Sequence, residues 1–183
     1  YTLWHTLSLH DALPILIRSY SPDGKIYFIP NLQDPLGRRT GFIREDWLDR
    51  VGMDVPETRD ELVEVYRAFV AEDANGNGDP NDEIPVSGRE GMRWLDDLYI
   101  MHGVKMWEGY PQFEWDEETQ SVVNHQVSQE MRESVEFLRF LVAEGLMDET
   151  MPIQKKQDWV AKVNAGRVGH YFHVVKAVHN YSA

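Results

Sequence analysis

Residues 73–85, DANGNGDPNDEIP, place oxygen-bearing side chains at alternate positions: Asp73, Asn75 and Asn77. Gly76 and Gly78 leave the backbone free to wrap round whatever those oxygens share. This is the first half of an EF-hand-type loop, with ligands at positions one, three and five, glycine at six and a main-chain carbonyl at seven. Asp79 stands where that carbonyl is needed, and Asp82 and Glu83 can close the shell. Ca2+ is a hard cation that takes six to eight oxygens, and this run can supply them. The correspondence ends at position twelve, where Ile84 replaces the bidentate glutamate and Glu83 comes one place early. The same residues also suit a polar turn in which Asn and Asp bond to their own backbone. Three spaced oxygens with glycine at six are more than a turn requires, so a structural Ca2+ is the cofactor expected.

The elements around the loop decide what it can hold together. Upstream, Thr58 and Glu61 make a capping box, and Leu62, Val65, Phe69 and Val70 recur at helical spacing, which predicts an amphipathic helix over 58–72. Downstream, Ile84-Pro85 stops a second helix from starting. The loop is thus a staple within a larger domain rather than half of a calcium sensor. Further helices are predicted over 44–51 (Trp47, Leu48 and Val51 on one face, Gly52 as cap) and over 91–102 (Trp94, Leu95, Leu98, Tyr99). Two more are predicted after Ser128, with Met131, Val135, Leu138 and Val142 in register, and over 156–164 around Trp159, Val160 and Val163. Extended runs are read at 25–30, 42–43 and 168–175, with a hairpin whose arms are 113–115 and 121–123. Strands alternating with helices favour an α/β fold, helix-rich by residue count.

Composition narrows the function classes. The chain has 183 residues, 42% hydrophobic and 27% charged, enough for a proper core. Its formal charge of −13 argues against phosphate-backbone recognition, which needs clustered Lys and Arg, so no nucleic-acid partner is expected. With no cysteine there is no disulfide, thiolate zinc site or thiol catalysis. No run approaches eighteen apolar residues. Residues 1–15, with TLSLHDALPI, resemble a translated sequencing adapter of the kind met in metagenomic fragments, so residues 1–15 are expected to be a non-native leader.

Five segments carry a resemblance together: DGKIYFIP (23–30), FIREDWLDRVGMDVPETRDELVEVYRAF (42–69), the 73–85 loop, VEFLRFLVAEGLMDE (135–149) and NAGRVGHYF (164–172). In that order they resemble extracellular solute-binding proteins of family 1, the lipoprotein-type sugar receptors of bacterial ABC importers. The likeness extends to members with a calcium loop, such as alginate-oligosaccharide-binding proteins, and covers roughly 21–175. It implies a type II periplasmic-binding fold, two α/β lobes closing over a ligand. On that likeness residues 16–40 are a remnant of the first lobe and hinge, 41–175 the second lobe, and 176–183 a truncated end. It implies an oligosaccharide ligand, ABC permease subunits as partners, a monomer, and an extracellular or periplasmic place, with membrane attachment only through an N-terminal lipid anchor outside this fragment. It also implies that the calcium loop is structural and far from the sugar.

Sugars offer flat C–H faces and rings of hydroxyls, which aromatic platforms and charged or amide hydrogen bonders recognise. Trp47 and Trp159 sit on apolar helix faces and are expected in the core. Trp94 follows the polar, glycine-bearing run 87–93 and, with Arg93, is the candidate sugar contact. Tyr171 and His173, on one face of the last strand, are candidates because in the family that strand ends at the cleft. Asp34, Arg38 and Arg39 near the implied hinge read as solvated loop charges. His170 and His173 could form a metal pair, but no third ligand stands at a fitting spacing. Two rival functions need features this sequence lacks. A carbohydrate-active hydrolase needs only a carboxylate pair, yet no catalytic motif is present. A calcium-stapled interaction module of dockerin type needs a second loop, and none is found. A binding protein, not an enzyme, is the reading that results.

Overall fold

A computed structural model describes residues 23, 25, 39–92, 95–107, 110–111 and 113–174 of the chain. The chain divides into two units, Tyr1–Gly37 and Arg38–Ala183. Of the first, only Asp23 and Lys25 are described, joined by a bond from the Lys25 amide to Asp23 Oδ1 at 3.1 Å. The leader, the strand expected at 25–30 beyond Lys25, Asp34, Arg38, Arg93, Trp94 and the segment 175–183 lie outside the described residues.

The second unit begins with β1 (Arg39–Ile43), α1 (Glu45–Val51) and α2 (Arg59–Ala71). After the loop come β2 (Ile84–Ser87) and α3 (Asp96–Ile100). Two small hairpins follow, β3 (Met106–Trp107) with β4 (Tyr110–Pro111), and β5 (Phe113–Asp116) with β6 (Ser121–Asn124). The chain closes with α4 (Gln129–Ala143), α5 (Lys156–Asn164) and β7 (Val168–Val174). One three-stranded sheet, in the order β1-β7-β2, organises the unit. Its central strand β7 runs antiparallel to β1 and parallel to β2. Helices over both faces leave β7 almost wholly buried, so its sequence, VGHYFHV, shows no clean polar alternation.

Two helix starts are set by the caps the sequence predicts. Thr58 accepts from the Glu61 amide while Glu61 accepts from the Thr58 amide, and Ser128 accepts from the Met131 amide at the head of α4. Each such cap is worth about 1 kcal/mol. Trp47, Tyr66 and Phe69 are fully buried in the larger core, and Trp159, equally buried, centres a second cluster with Val163, Val168 and Tyr171. Trp47 meets Phe69 edge-on at 5.1 Å.

Two expectations are corrected. The helix predicted over 91–102 is a 3-10 turn at Glu90–Met92 followed by the five-residue α3. Gly91 adopts φ +61 inside that turn, which no helix can continue through. The buried face of α4 is Ser134, Phe137, Leu138 and Leu141, whereas Val135 and Val142 are 43% and 44% exposed. The run FLRFLVA offers two apolar registers, and the one burying the larger Phe and Leu side chains removes more surface from water.

Candidate calcium loop and ligand edge

The loop leaves the end of α2 and returns at the start of β2. Asp73 receives the amides of Asn77 (3.0 Å) and Gly78 (2.9 Å) on its two carboxylate oxygens. Asn75 Oδ1 accepts from the Asn77 amide at 2.8 Å, and Asn77 Oδ1 from the Asp79 amide at 2.7 Å. These side-chain-to-backbone bonds form the polar turn read from the sequence, and the residues expected as ligands make it. Across the loop, the Asn75 and Asn77 amide groups donate to the Asp82 carboxylate, at 2.7 Å and 3.1–3.2 Å. The Asp79 carboxylate is engaged by Asn81, which leaves the Asp79 carbonyl as its candidate donor. Gly76 sits at φ +71, and a Cβ there would fall 2.6–2.8 Å from the Arg50 guanidinium, whose Nη1 donates to the Ala74 carbonyl at 2.5 Å.

This donor set fits a hard cation. Glu83 Oε2 is buried without a hydrogen-bond partner, an expensive state for a carboxylate oxygen unless a cation occupies the space beside it. Each Asn oxygen keeps a second lone pair beyond the turn it closes. Among the described residues no three carboxylate or imidazole groups converge on one point, so a cation here depends on the amide oxygens of Asn75 and Asn77 as much as on Asp73, Asp82 and Glu83. Such a mixed, oxygen-only set suits Ca2+ rather than a transition metal.

The opposite end of the same strands forms a second candidate region. Ser87 ends β2 opposite Tyr171, and the parallel β7 runs three residues further to Val174, opposite Arg39 at the start of the antiparallel β1, so β2 and β7 both finish toward the same end of the sheet. In open α/β sheets ligands bind outside the carboxyl ends of parallel strands. The run 88–95, which carries Arg93 and Trp94, leaves the sheet from this edge. The loop 73–83 joins β2 at its other end, three residue steps or about 10 Å away.

Tyr171 and His173 are buried against Trp159, Tyr171 edge-on at 5.7 Å and His173 stacked at 5.8 Å. Phe42 packs on Tyr171 from β1 at 5.6 Å. His170 turns the other way, toward α2, where the Tyr66 hydroxyl lies 2.5 Å from its Nδ1. His170 and His173 are therefore on opposite sides of β7, which removes the reading of a metal pair.

A buried polar cluster fixes the start of the 88–95 run, and no sequence motif announces it. Ser87 Oγ and Lys162 Nζ both donate to Asp148 Oδ2, at 2.7 and 2.6 Å. Gln154 accepts from Lys162 at 3.0 Å and donates to the Gly88 carbonyl at 2.7 Å. Burial pushes the Asp148 carboxyl up, but hydrogen bonds from Lys162, Ser87 and Thr150 outweigh it and hold the group below its ordinary range. Asp148, Gln154 and Lys162 are scattered polar residues in the sequence, so only the fold brings them together.

No family model matches the chain. Curated relatives do. It is 28% identical, over 90% of its length, to the polygalacturonan/rhamnogalacturonan-binding protein YtcQ of Bacillus subtilis, covering 32% of that protein. It is 30% identical, over 83% of its length, to the fructooligosaccharide ABC transporter substrate-binding protein FusA of Streptococcus pneumoniae, covering 29% of it. Among solved structures, FusA in complex with kestose superposes with a TM-score of 0.69 at 29% identity, over 85% of this chain and 33% of that one. A FusA EF-hand mutant gives 0.65 at 25% identity, over 89% of this chain and 34% of that one. The alginate-binding protein AlgQ2, solved without calcium ion, gives 0.63 at 25%, over 88% of this chain and 32% of that one. The chain spans about a third of the length of these proteins. In sequence and in backbone it is a relative of the extracellular solute-binding proteins of ABC importers, with the type II periplasmic-binding architecture over the part of their length it spans.

Proposed function

We propose that the chain supplies the second lobe of an extracellular carbohydrate receptor that delivers an oligosaccharide to an ABC permease. The observation that carries this reading is its relation, over more than four-fifths of its length, to substrate-binding proteins named for carbohydrate ligands. The sugar lies against the carboxyl edge of β2 and β7. Trp94 stacks on a sugar face and Arg93 bonds hydroxyls, both from the run that Asp148 anchors at Ser87 and Gln154 at Gly88. Tyr171 and His173 support the same edge through β7. The protein binds its ligand without turning it over, acts as a monomer, and works outside the cytoplasm, held at the membrane by a lipid anchor or free in the periplasm.

The loop 73–83 holds one structural Ca2+ through Asp73, Asn75, Asn77, the Asp79 carbonyl, Asp82 and Glu83. When bound, the ion supplies positive charge that compensates this acidic cluster and fastens α2 to β2. The orphaned Glu83 oxygen and the EF-hand named in FusA support this assignment.

Calorimetry against kestose, oligogalacturonates and alginate oligosaccharides, with product analysis after long incubation, tests the receptor reading. Saturable binding of one class with no shortened products is expected, and Trp94→Ala then weakens it by roughly 1–3 kcal/mol. Cleavage products would overturn the reading. Titrating Ca2+ into chelator-stripped protein is expected to show one site and a raised melting temperature, lost in Asp73→Ala.

A further inference from the structure

Arg167 stands between α5 and β7 and grips the loop at one residue. Its Nε donates to the Asp82 main-chain carbonyl at 3.1 Å, and the guanidinium forms an ion pair with Asp82 Oδ2, also at 3.1 Å from Nε. Its own carbonyl accepts the Ile84 amide at 2.8 Å, and its amide donates to the Lys162 carbonyl at 3.1 Å. With Oδ2 paired to the guanidinium, the Asp82 carboxylate stays turned toward the amide groups of Asn75, on Oδ1, and Asn77, on both oxygens, the two other side chains expected to share a cation. The Asp82 side chain is 19% exposed and that of Arg167 40%, so the pair closes the loop on its β7 side while the guanidinium still reaches water.

We propose that Arg167 is a positioning residue for the cation of the 73–83 loop: it sets the orientation of Asp82 before the ion arrives and carries that constraint into β7. This rests on the calcium reading above. Two effects of a guanidinium here oppose one another. Its charge repels a cation, which weakens binding. Its bonds hold a ligating carboxylate in place, which strengthens binding by removing reorganisation. Half-exposed and already compensated by Asp82, the charge is well screened, so the second effect prevails. Partners that orient ligating carboxylates typically change metal affinity 10- to 100-fold.

The test titrates Ca2+ by calorimetry into chelator-stripped wild type, Arg167→Gln and Arg167→Lys, each as the full chain and each checked for folding by circular dichroism. Arg167→Gln is expected to bind at least ten-fold more weakly. Arg167→Lys, which keeps the charge but offers a rotatable point donor in place of a rigid fork, recovers only part of the loss. If Arg167→Gln binds Ca2+ as well as wild type or better, Arg167 acts only as a charge and the proposal is overturned, while the calcium reading stands. If wild type binds no Ca2+, the calcium reading fails and this proposal fails with it. Should Arg167→Gln not fold, Arg167→Lys decides: several-fold weaker binding supports the positioning role, and unchanged affinity refutes it.

Discussion

The buried Tyr66–His170 pair makes the folded state sensitive to mild acid. Both side chains are removed from solvent, and the Tyr66 hydroxyl shares a hydrogen bond with His170 Nδ1 at 2.5 Å, where burial disfavours the charged imidazolium. Burial lowers the His170 pKa from 6.5 to about 4 and drives that of Tyr66 well up. The unfolded chain therefore takes up a proton at this residue before the folded one does. Stability from this site is complete above pH 6.5 and is lost progressively as pH falls toward 4. At 1.36 kcal/mol per pKa unit, the difference of 6.5 minus about 4 is worth about 3 kcal/mol, of which roughly 2–3 are already lost at about pH 4.5. Urea unfolding of wild type and His170→Gln at about pH 7.5 and 4.5 reads this directly. Gln keeps an acceptor for Tyr66 and does not titrate, so wild type is expected to lose about 2–3 kcal/mol more than the variant across that interval. Carboxylates such as Asp148 titrate in both proteins and cancel in the comparison. Equal losses in the two proteins would refute the argument.

Three further outcomes follow from the packing. Lys162→Met leaves Asp148, whose side chain is 3% exposed, as an unpaired buried carboxylate and is expected to cost about 3–5 kcal/mol by denaturant unfolding. Gly169→Ala puts a Cβ 2.8 Å from the rings of Phe69 and Trp47, and should cost about 1–3 kcal/mol by overpacking, visible as a lowered melting temperature. Trp159→Ala empties the space between Tyr171 and His173 and should cost about 3–5 kcal/mol in the same measurement, far more than truncating the exposed Val127.

Features written in local chemistry were legible in the sequence. The Thr58–Glu61 box and the Ser128 cap place helix starts because their bonds span three residues. Trp47 and Trp159 declare themselves as core because each lies on an apolar helix face, and both are fully buried. The alternating Asp73, Asn75 and Asn77 foretell a loop in which side chains close on the backbone. Features set by tertiary choice were not legible. Which stripe of α4 is buried depends on what packs against it, and periodicity allowed two answers. The break at Gly91 needed a positive φ that a single glycine inside an apolar pattern does not announce. The Ser87, Asp148, Gln154 and Lys162 cluster joins positions 61 or more residues apart in two of its bonds, Ser87 to Asp148 and Gln154 to Gly88.

The two candidate regions are connected by the shortest path the sheet offers. β2 has four residues, beginning one position after Glu83 and ending one position before Gly88. Its partner β7 begins one position after Arg167, pairs Tyr171 with Ser87 and runs three residues beyond it. A bound cation therefore has no need to touch a ligand to influence it. Constraint at Asp82 and Glu83 fixes the register of Ile84 on Val168, and that register sets where Ser87 and Gly88 leave the sheet. At the far end Gln154 holds the Gly88 carbonyl from a second direction, and Asp148 holds the Ser87 hydroxyl. The exit of the 88–95 run is thus fixed from two sides, by strand pairing that starts at the loop and by a buried ion pair that does not involve it. On the calcium reading, removing the ion should loosen only the first of these. The expected consequence is a loss of stability larger than any loss of ligand affinity, since the polar clamp at Gly88 survives the ion's departure.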